Sequence, residues 1–183
     1  MMNKRYSLVP GVLFCLVFCV HCVFADDLYQ IRGYNYVRDY KYEEAISEYN
    51  KSLSMDPDNA KTYDKLGYCY QMLNRPSKAK SCFQKAIEIN PDYAEAYCSL
   101  GDIHGTSGDW EKARFYLDKA LKIDSDCIEA YMTYGNLYFI SEKYDQAIPY
   151  LEKAKKLMQL KDDHQFLEII ETMLISAKEE VGK

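Results

Sequence analysis

Apolar side chains fall along this chain in short stripes at helical spacing. Ala79, Phe83 and Ala86 stand at i, i+4 and i+7, which places them on one face of a helix. The stripe returns every 34 residues. Ala45, Ala79, Ala113 and Ala147 open it, Tyr49, Phe83, Leu117 and Leu151 follow, and Ser52, Ala86, Ala120 and Ala154 close it. A companion stripe precedes each one. It runs from Tyr29, Tyr63, Tyr97 and Tyr131 through Gly33, Gly67, Gly101 and Gly135 to Tyr36, Tyr70, His104 and Tyr138. Two stripes per period predict two helices per unit, in units of 26–59, 60–93, 94–127 and 128–161.

The residue types have a physical cause. Gly and Ala stand where two antiparallel helices approach most closely, because only small side chains admit the neighbouring backbone. The aromatics beside them supply most of the buried area. One hairpin cannot bury its stripe alone, so neighbouring hairpins must stack. Pro57 and Pro91 disfavour helix in the residue before them and end the second helix of the first two units. Asp58, with Asp92 and Asp126 at the equivalent places, is expected to cap the next helix. Pro76 stands at a helix start, and Pro149 falls too near one to break it. Gly105-Thr106-Ser107-Gly108 is weakly helical, so the first helix of the third unit is expected to be the shortest. After Lys161, Asp162-Asp163 is expected to cap one more helix. Phe166, Leu167, Ile170, Met173, Leu174 and Ala177 give that helix an apolar face, and 162–183 reads as a closing helix.

The stretch Tyr63-x2-Leu66-Gly67-x2-Tyr70, Ala79-x3-Phe83, Pro91 resembles the tetratricopeptide repeat, W-x2-L-G-x2-Y, A-x3-F, P, with tyrosine in place of tryptophan. The resemblance implies an all-α fold, an α-solenoid of four helical hairpins with a C-terminal capping helix. The copies depart from the motif where Arg32 and Tyr134 replace the leucine, His104 the inner tyrosine, and Ser125 and Gln159 the proline. In the resembling family, partner segments lie along the concave side, which the first helices line. The cochaperone branch that grips a C-terminal carboxylate uses Lys and Asn on successive turns of the first helix. Here those places hold Gln30 and Tyr34, so that branch is not implied.

The first 25 residues follow a different pattern. Lys4 and Arg5 precede the uncharged run 8–25, and Val23-Phe24-Ala25 ends it just before the first unit. This is the order of a cleaved secretory signal; an uncleaved N-terminal anchor is the alternative, since the run nearly reaches a span of ~20 residues. Cys19-Val20-His21-Cys22 lacks the strand-to-helix setting of a redox motif. Without residues 1–25 the chain keeps 21 of its 23 bases and all 28 acids, a net charge of −7. That balance argues against nucleic acid as a partner.

No nucleotide-binding, metalloprotease or serine-hydrolase motif is present, and neither catalytic residues, metal ligands nor a cofactor are expected. His104 sits at a packing position and His164 at the start of the last helix. The acid pairs read as charges at helix starts. The sequon Asn50-Lys51-Ser52 reads as helix packing. Of Cys69, Cys82, Cys98 and Cys127, only Cys69 and Cys82 fall at a similar height on one hairpin, so any disulfide is expected there, and a bridge to Cys127 would contradict the frame. Free cysteines packed as small hydrophobes are the main expectation.

The expected working surface is the inward side of the first helices, at the second, fifth, ninth, twelfth and thirteenth places of each unit. Among these, Tyr34, Arg38, Lys61, Tyr68, Met72, Asp102, Met132, Asn136 and Phe139 are the candidate binding residues. Aromatic and methionine side chains would anchor an apolar segment, and Arg38 and Lys61 would set its direction. The sequence points to an exported, non-enzymatic scaffold that binds a protein or peptide segment. A membrane-anchored assembly factor and a small-ligand-binding or enzyme accessory subunit are the alternatives, the last favoured by a closed pocket around His104 and Cys98.

Overall fold

The structure, a computed structural model, describes residues 26–162 and 166–182. Residues 1–25, where a secretory signal is expected, with their Cys-x-x-Cys, and Asp163 and His164, lie outside the described residues. The described residues form helices and no strand. They are α1 (26–38), α2 (Tyr42–Met55), α3 (Ala60–Met72), α4 (Pro76–Ile89), α5 (Ala94–Thr106), α6 (Trp110–Ile123), α7 (Ile128–Ile140), α8 (Tyr144–Lys161) and α9 (Leu167–Val181).

Each glycine of the first helix lies under the large residue of the second. A Cβ on Gly33 would stand 2.5 Å from the Tyr49 ring, one on Gly67 2.6 Å from Phe83, one on Gly101 2.7 Å from Leu117 and one on Gly135 2.5 Å from Leu151. The hairpins therefore close around the 34-residue pattern. Tyr134 is buried although it replaces leucine, because its hydroxyl reaches out to donate to Asp118 Oδ1 at 2.6 Å. Its ring stacks on Tyr150 at 4.6 Å. Arg32 takes the same place in α1, where no earlier helix covers it among the described residues, and pairs with Glu48 at 3.9 Å.

The turn inside each hairpin is one device used four times. Tyr40, Asn74, Gly108 and Glu142 adopt left-handed backbone, with φ of 60°, 55°, 82° and 58°. The next N–H bonds back to the carbonyl of Tyr36, Tyr70, His104 or Tyr138, at 2.8–3.0 Å. This is a Schellman closure. It corrects the expectation that α5 is the shortest first helix, since it has 13 residues like α3 and α7. Gly108 is the closing residue of α5, and Gly105 is helical because Leu137 packs against its bare Cα, 2.5 Å from where a Cβ would stand.

Nothing lies within 4 Å of a Cβ at Gly108, so the substitution Gly108→Ala tests backbone strain alone. It should cost about 1 kcal/mol, while Glu142→Gly should be neutral or stabilising. Urea unfolding of both variants checks the pair; equal shifts in one direction would refute the strain account.

Two capping expectations are corrected. The side chain that caps α3 is Asn59, accepting from Thr62 N at 3.0 Å, not Asp58. Asp56, Asn90 and Asp124 instead accept the N–H of Asp58, Asp92 and Asp126, and so hold the turns between hairpins. Asp162 ends α8 in left-handed backbone rather than opening the last helix, which begins only at Leu167. Pro76 opens α4, and Pro149 lies within α8 without ending it.

Adjacent first helices pack on one another, α3 on α5, α5 on α7 and α7 on α9. Among the described residues no pair of second helices packs to a comparable degree. The first helices therefore lie on the inside of the curve. The closing helix enters out of step, because α8 has 18 residues where α2, α4 and α6 have 14. Ile170, Leu174 and Ala177 fall into the buried places of Ala130, Tyr134 and Leu137, displaced by 40 residues instead of 34.

Candidate functional site

The ninth place of each unit gives Tyr34, Tyr68, Asp102 and Asn136, at the same register on adjacent first helices. Tyr34 is 62% exposed, Tyr68 41% and Met72 47%. Tyr68 rests edge-on against Tyr42 at 6.4 Å, which fixes the ring while leaving one side open. Burial and the neighbouring Tyr42 raise its hydroxyl above the usual tyrosine value, so it is a neutral donor at ordinary pH. Arg38 is exposed and has its Nε 4.0 Å from Asp39, and Lys61 is also exposed. Both cations stand free enough to meet an acidic group.

The C-terminal half of the groove is more closed. Asp102, Met132 and Asn136 share a depression of about 290 Å³ with Thr133, Leu151, Ile169, Ile170 and Met173. Gln71 Nε2 donates to Asp102 Oδ2 at 2.6 Å and so ties α3 to α5 across the groove. Burial raises the Asp102 carboxyl above the usual carboxylate range, against the lowering effect of that hydrogen bond. Met132 and Phe139 are half-buried on the core of the fourth hairpin, and Phe139 meets Tyr144 edge-on at 5.3 Å. Met132 both packs and lines the depression, whereas Phe139 is placed by packing, unlike the open Tyr34 and Tyr68.

Some inward places do not line the groove. Asp64, Cys98 and Gly105 are buried by neighbouring helices. Asp64 accepts from Lys65 at 3.1 Å and from the hydroxyl of Tyr93 at 3.4 Å. His104 packs on α6 of its own hairpin rather than in a pocket with Cys98, stacked on Tyr116 at 5.5 Å with Nδ1 3.5 Å from Asp109. Burial, with Lys80 nearby, holds its imidazole below the ordinary value. Ser52, inside the sequon, is fully buried and donates to Asp26.

The main cysteine expectation, free thiols packed as small hydrophobes, agrees with the structure, but the choice of Cys69 and Cys82 as the candidate pair is corrected. All four described cysteines are free, and the thiols in contact are Cys98 and Cys127, with Sγ 3.6 Å from Sγ. Cys127 closes the third unit by sequence but is the residue before α7, so it lies over the first turns of α5. A contact to Cys127 is therefore compatible with the frame.

Sequence reasoning missed two features. Ile169 and Met173 of α9 enter the groove because the added turn of α8 offsets that helix; the length of the uninterrupted helical pattern before Asp162 was the available signal. A second depression, of about 320 Å³, lies between α6 and the α7–α8 turn. Trp110, Arg114, Tyr138 and Lys143 line it, with Trp110 stacked on Tyr138 at 6.2 Å and Lys143 over the Trp110 ring at 5.8 Å. Nothing in the 34-residue pattern marks it. Among the described residues no group of three or more His, Cys, Asp or Glu side chains is placed to hold a metal ion.

Comparison with known proteins agrees with this geometry. No curated protein matches the sequence. A crystal structure of MamA is similar at 27% identity and a TM-score of 0.60, covering 76% of this chain and 81% of that one. The first repeat domain of Spaghetti (RPAP3), bound to the HSP90 peptide SRMEEVD, is similar at 25% identity and a TM-score of 0.57, covering 64% of this chain and 91% of that one. PilF of Pseudomonas aeruginosa, at 18% identity and a TM-score of 0.64 over 86% of this chain and 78% of that one, shares the fold. Residues 35–165 match the family model described as the tetratricopeptide repeat protein 21 C-terminal ARM domain. With hairpins, glycine contacts and turns repeating at 34 residues, and with that match over most of its length, the chain belongs to the tetratricopeptide-repeat family.

Proposed function

We propose that this protein is an exported, non-enzymatic scaffold that holds an extended segment of another protein in the groove lined by α1, α3, α5 and α7. The observation that carries the reading is the exposure of Tyr34, Tyr68 and Met72 on the inside of the curve. The outer helices carry charge at comparable exposed places, as at Glu43, Glu44, Lys78 and Glu111. Side chains kept apolar and open in this way suit a partner's apolar or aromatic residues, with Arg38 and Lys61 orienting an acidic end. The RPAP3 domains bound to HSP90 and HSP70 peptides support peptide binding as the mode. The acidic C-terminal peptide is not the expected ligand here, because Gln30 and Tyr34 stand where the carboxylate-gripping branch has Lys and Asn.

In this reading residues 1–25 are a cleaved signal, 26–161 the four repeats and 162–183 the closing segment. Among the described residues no helix is long and apolar enough to cross a membrane, and in the alternative reading residues 1–25 are the anchor. Asp26, the expected mature N-terminus, accepts hydrogen bonds from Gln30 and Ser52 and would keep both after cleavage.

The test is affinity capture with the exported protein, whose intact mass also reports whether residues 1–25 are gone. The captured segment, located by cross-linking and made as a peptide, should bind Tyr34→Ala or Tyr68→Ala at least about tenfold more weakly, the effect of losing one anchor worth ~2 kcal/mol. Melting temperatures should stay near the parent's. Cross-links confined to α4, α6 and α8, or peptide affinity unchanged in both variants, would refute groove binding; a retained N-terminal segment would refute cleavage.

A further inference from the structure

We infer that Cys98 and Cys127 are a disulfide-forming pair that staples the third hairpin to the fourth beneath the groove.

The two thiols are buried and 3.6 Å apart, on different hairpins. They must approach by roughly 1.5 Å to reach the S–S bond length of ~2.05 Å, a shift within reach of side-chain rotation. Their place in the repeat is structural. In the second and third units the fifth and last residues meet. At the preceding junction they are Asp64 and Tyr93, joined by a hydrogen bond of 3.4 Å from the tyrosine hydroxyl. At the next one the same two places hold two thiols, the only group pair there that can close the contact covalently. The bond would fix the start of α7 against the first turns of α5, beside the depression that holds Asp102, Met132 and Asn136.

The other two cysteines are placed differently. Cys69 is wholly buried, and Cys82 packs beside it in the core of the first two hairpins. Burial pushes the Cys69 thiol up to about 12 and the Cys82 thiol up to about 11. Contact with Cys127, together with burial, also raises the Cys98 thiol. Cys127 Sγ also lies 3.6 Å from Glu129 Oε2, to which it donates. Oxidation is therefore expected to be slow in the closed protein and faster while the junction is open or still folding.

The oxidant is a small-molecule disulfide. One cysteine thiolate attacks it, giving a mixed disulfide and releasing one thiol; the second cysteine then displaces the other thiol. The protein loses two protons and two electrons, which reduce the small disulfide to two thiols. The inference is independent of the groove reading; export would only supply the oxidising compartment.

The experiment incubates the full chain with glutathione disulfide, both folded and during refolding from denaturant in a glutathione redox buffer. Free thiols are then alkylated and the protein is digested with trypsin without reduction. Trypsin leaves Cys69, Cys82, Cys98 and Cys127 in four separate peptides. The expected product is the Cys98 peptide joined to the Cys127 peptide, lighter by two hydrogens, with Cys69 and Cys82 alkylated. The oxidised form should melt roughly 5–10 °C above the reduced one, and the variants C98S and C127S should show neither the linked peptide nor the redox-dependent shift. Because either serine could perturb the fold, wild-type mapping decides. Separate alkylation of Cys98 and Cys127 after both treatments, or a bridge from either to Cys69 or Cys82, would overturn the inference.

Discussion

Removal of residues 162–183 opens the fourth hairpin and lowers the melting temperature by more than about 10 °C, with aggregation of the truncated chain. The reason is the double use of α8. Its Leu151 and Ala154 pack toward α7, while Leu157 and Met158 share a buried cluster with Ile170 and Leu174 of α9. Without α9, one whole side of this cluster meets water. Ile170 is 1% exposed, so Ile170→Ala alone should cost about 2–4 kcal/mol. For a chain of this size, each kcal/mol moves the melting point by about 2–4 °C. Deletion removes Leu174 and Ala177 as well, and the loss should begin locally because each unit is stabilised only by its neighbours. Trp110 is the sole tryptophan and stacks on Tyr138 of α7, so its fluorescence reports the third–fourth junction. That signal should change before the helical signal as a whole. A truncated protein that stays monomeric and melts at the parent temperature would show that α9 is no cap.

The parts of this fold that were legible in the sequence are those that packing dictates at one fixed period. Gly67 had to be small because Phe83 lies over it, and the same constraint recurs at Gly33, Gly101 and Gly135. The turns were less legible. Left-handed backbone at Tyr40 and Glu142 is enforced by the Schellman bonds, against the preference of those residues. Contacts between units were the least legible. A linear frame assigns Cys127 to the end of the third unit, whereas in space it is the residue before α7 and lies on α5. The groove follows the same division. Tyr34, Tyr68 and Met72 stand open where the period puts them, but Asp64 and Cys98 are covered by the next hairpin. Ile169 joins the groove because of a helix length that the period does not encode.

Phe83→Ala is expected to be the most damaging single truncation in the array, at about 3–5 kcal/mol. Phe83 is the largest of the fully buried side chains among the described residues. It belongs to the cluster of Ala79, Leu100 and Ile103, so it joins the second hairpin to the third. Against a total stability of about 5–15 kcal/mol for an ordinary domain, that loss removes a large share. Phe83→Leu should cost less, about 1 kcal/mol, because Leu117 and Leu151 fill the same place over Gly101 and Gly135. The converse change, Gly67→Ala, adds a methyl that would stand 2.6 Å from the Phe83 ring, and forcing the ring aside should cost about 1–3 kcal/mol. The two positions must then be coupled. In Gly67→Ala/Phe83→Ala the methyl enters space that the ring has left, so the double variant should lose less than the sum of the single losses, by about 1 kcal/mol or more. Urea unfolding of the four proteins closes the cycle. If the losses simply add, Gly67 is not small because of Phe83, and the account of why glycine returns every 34 residues is wrong.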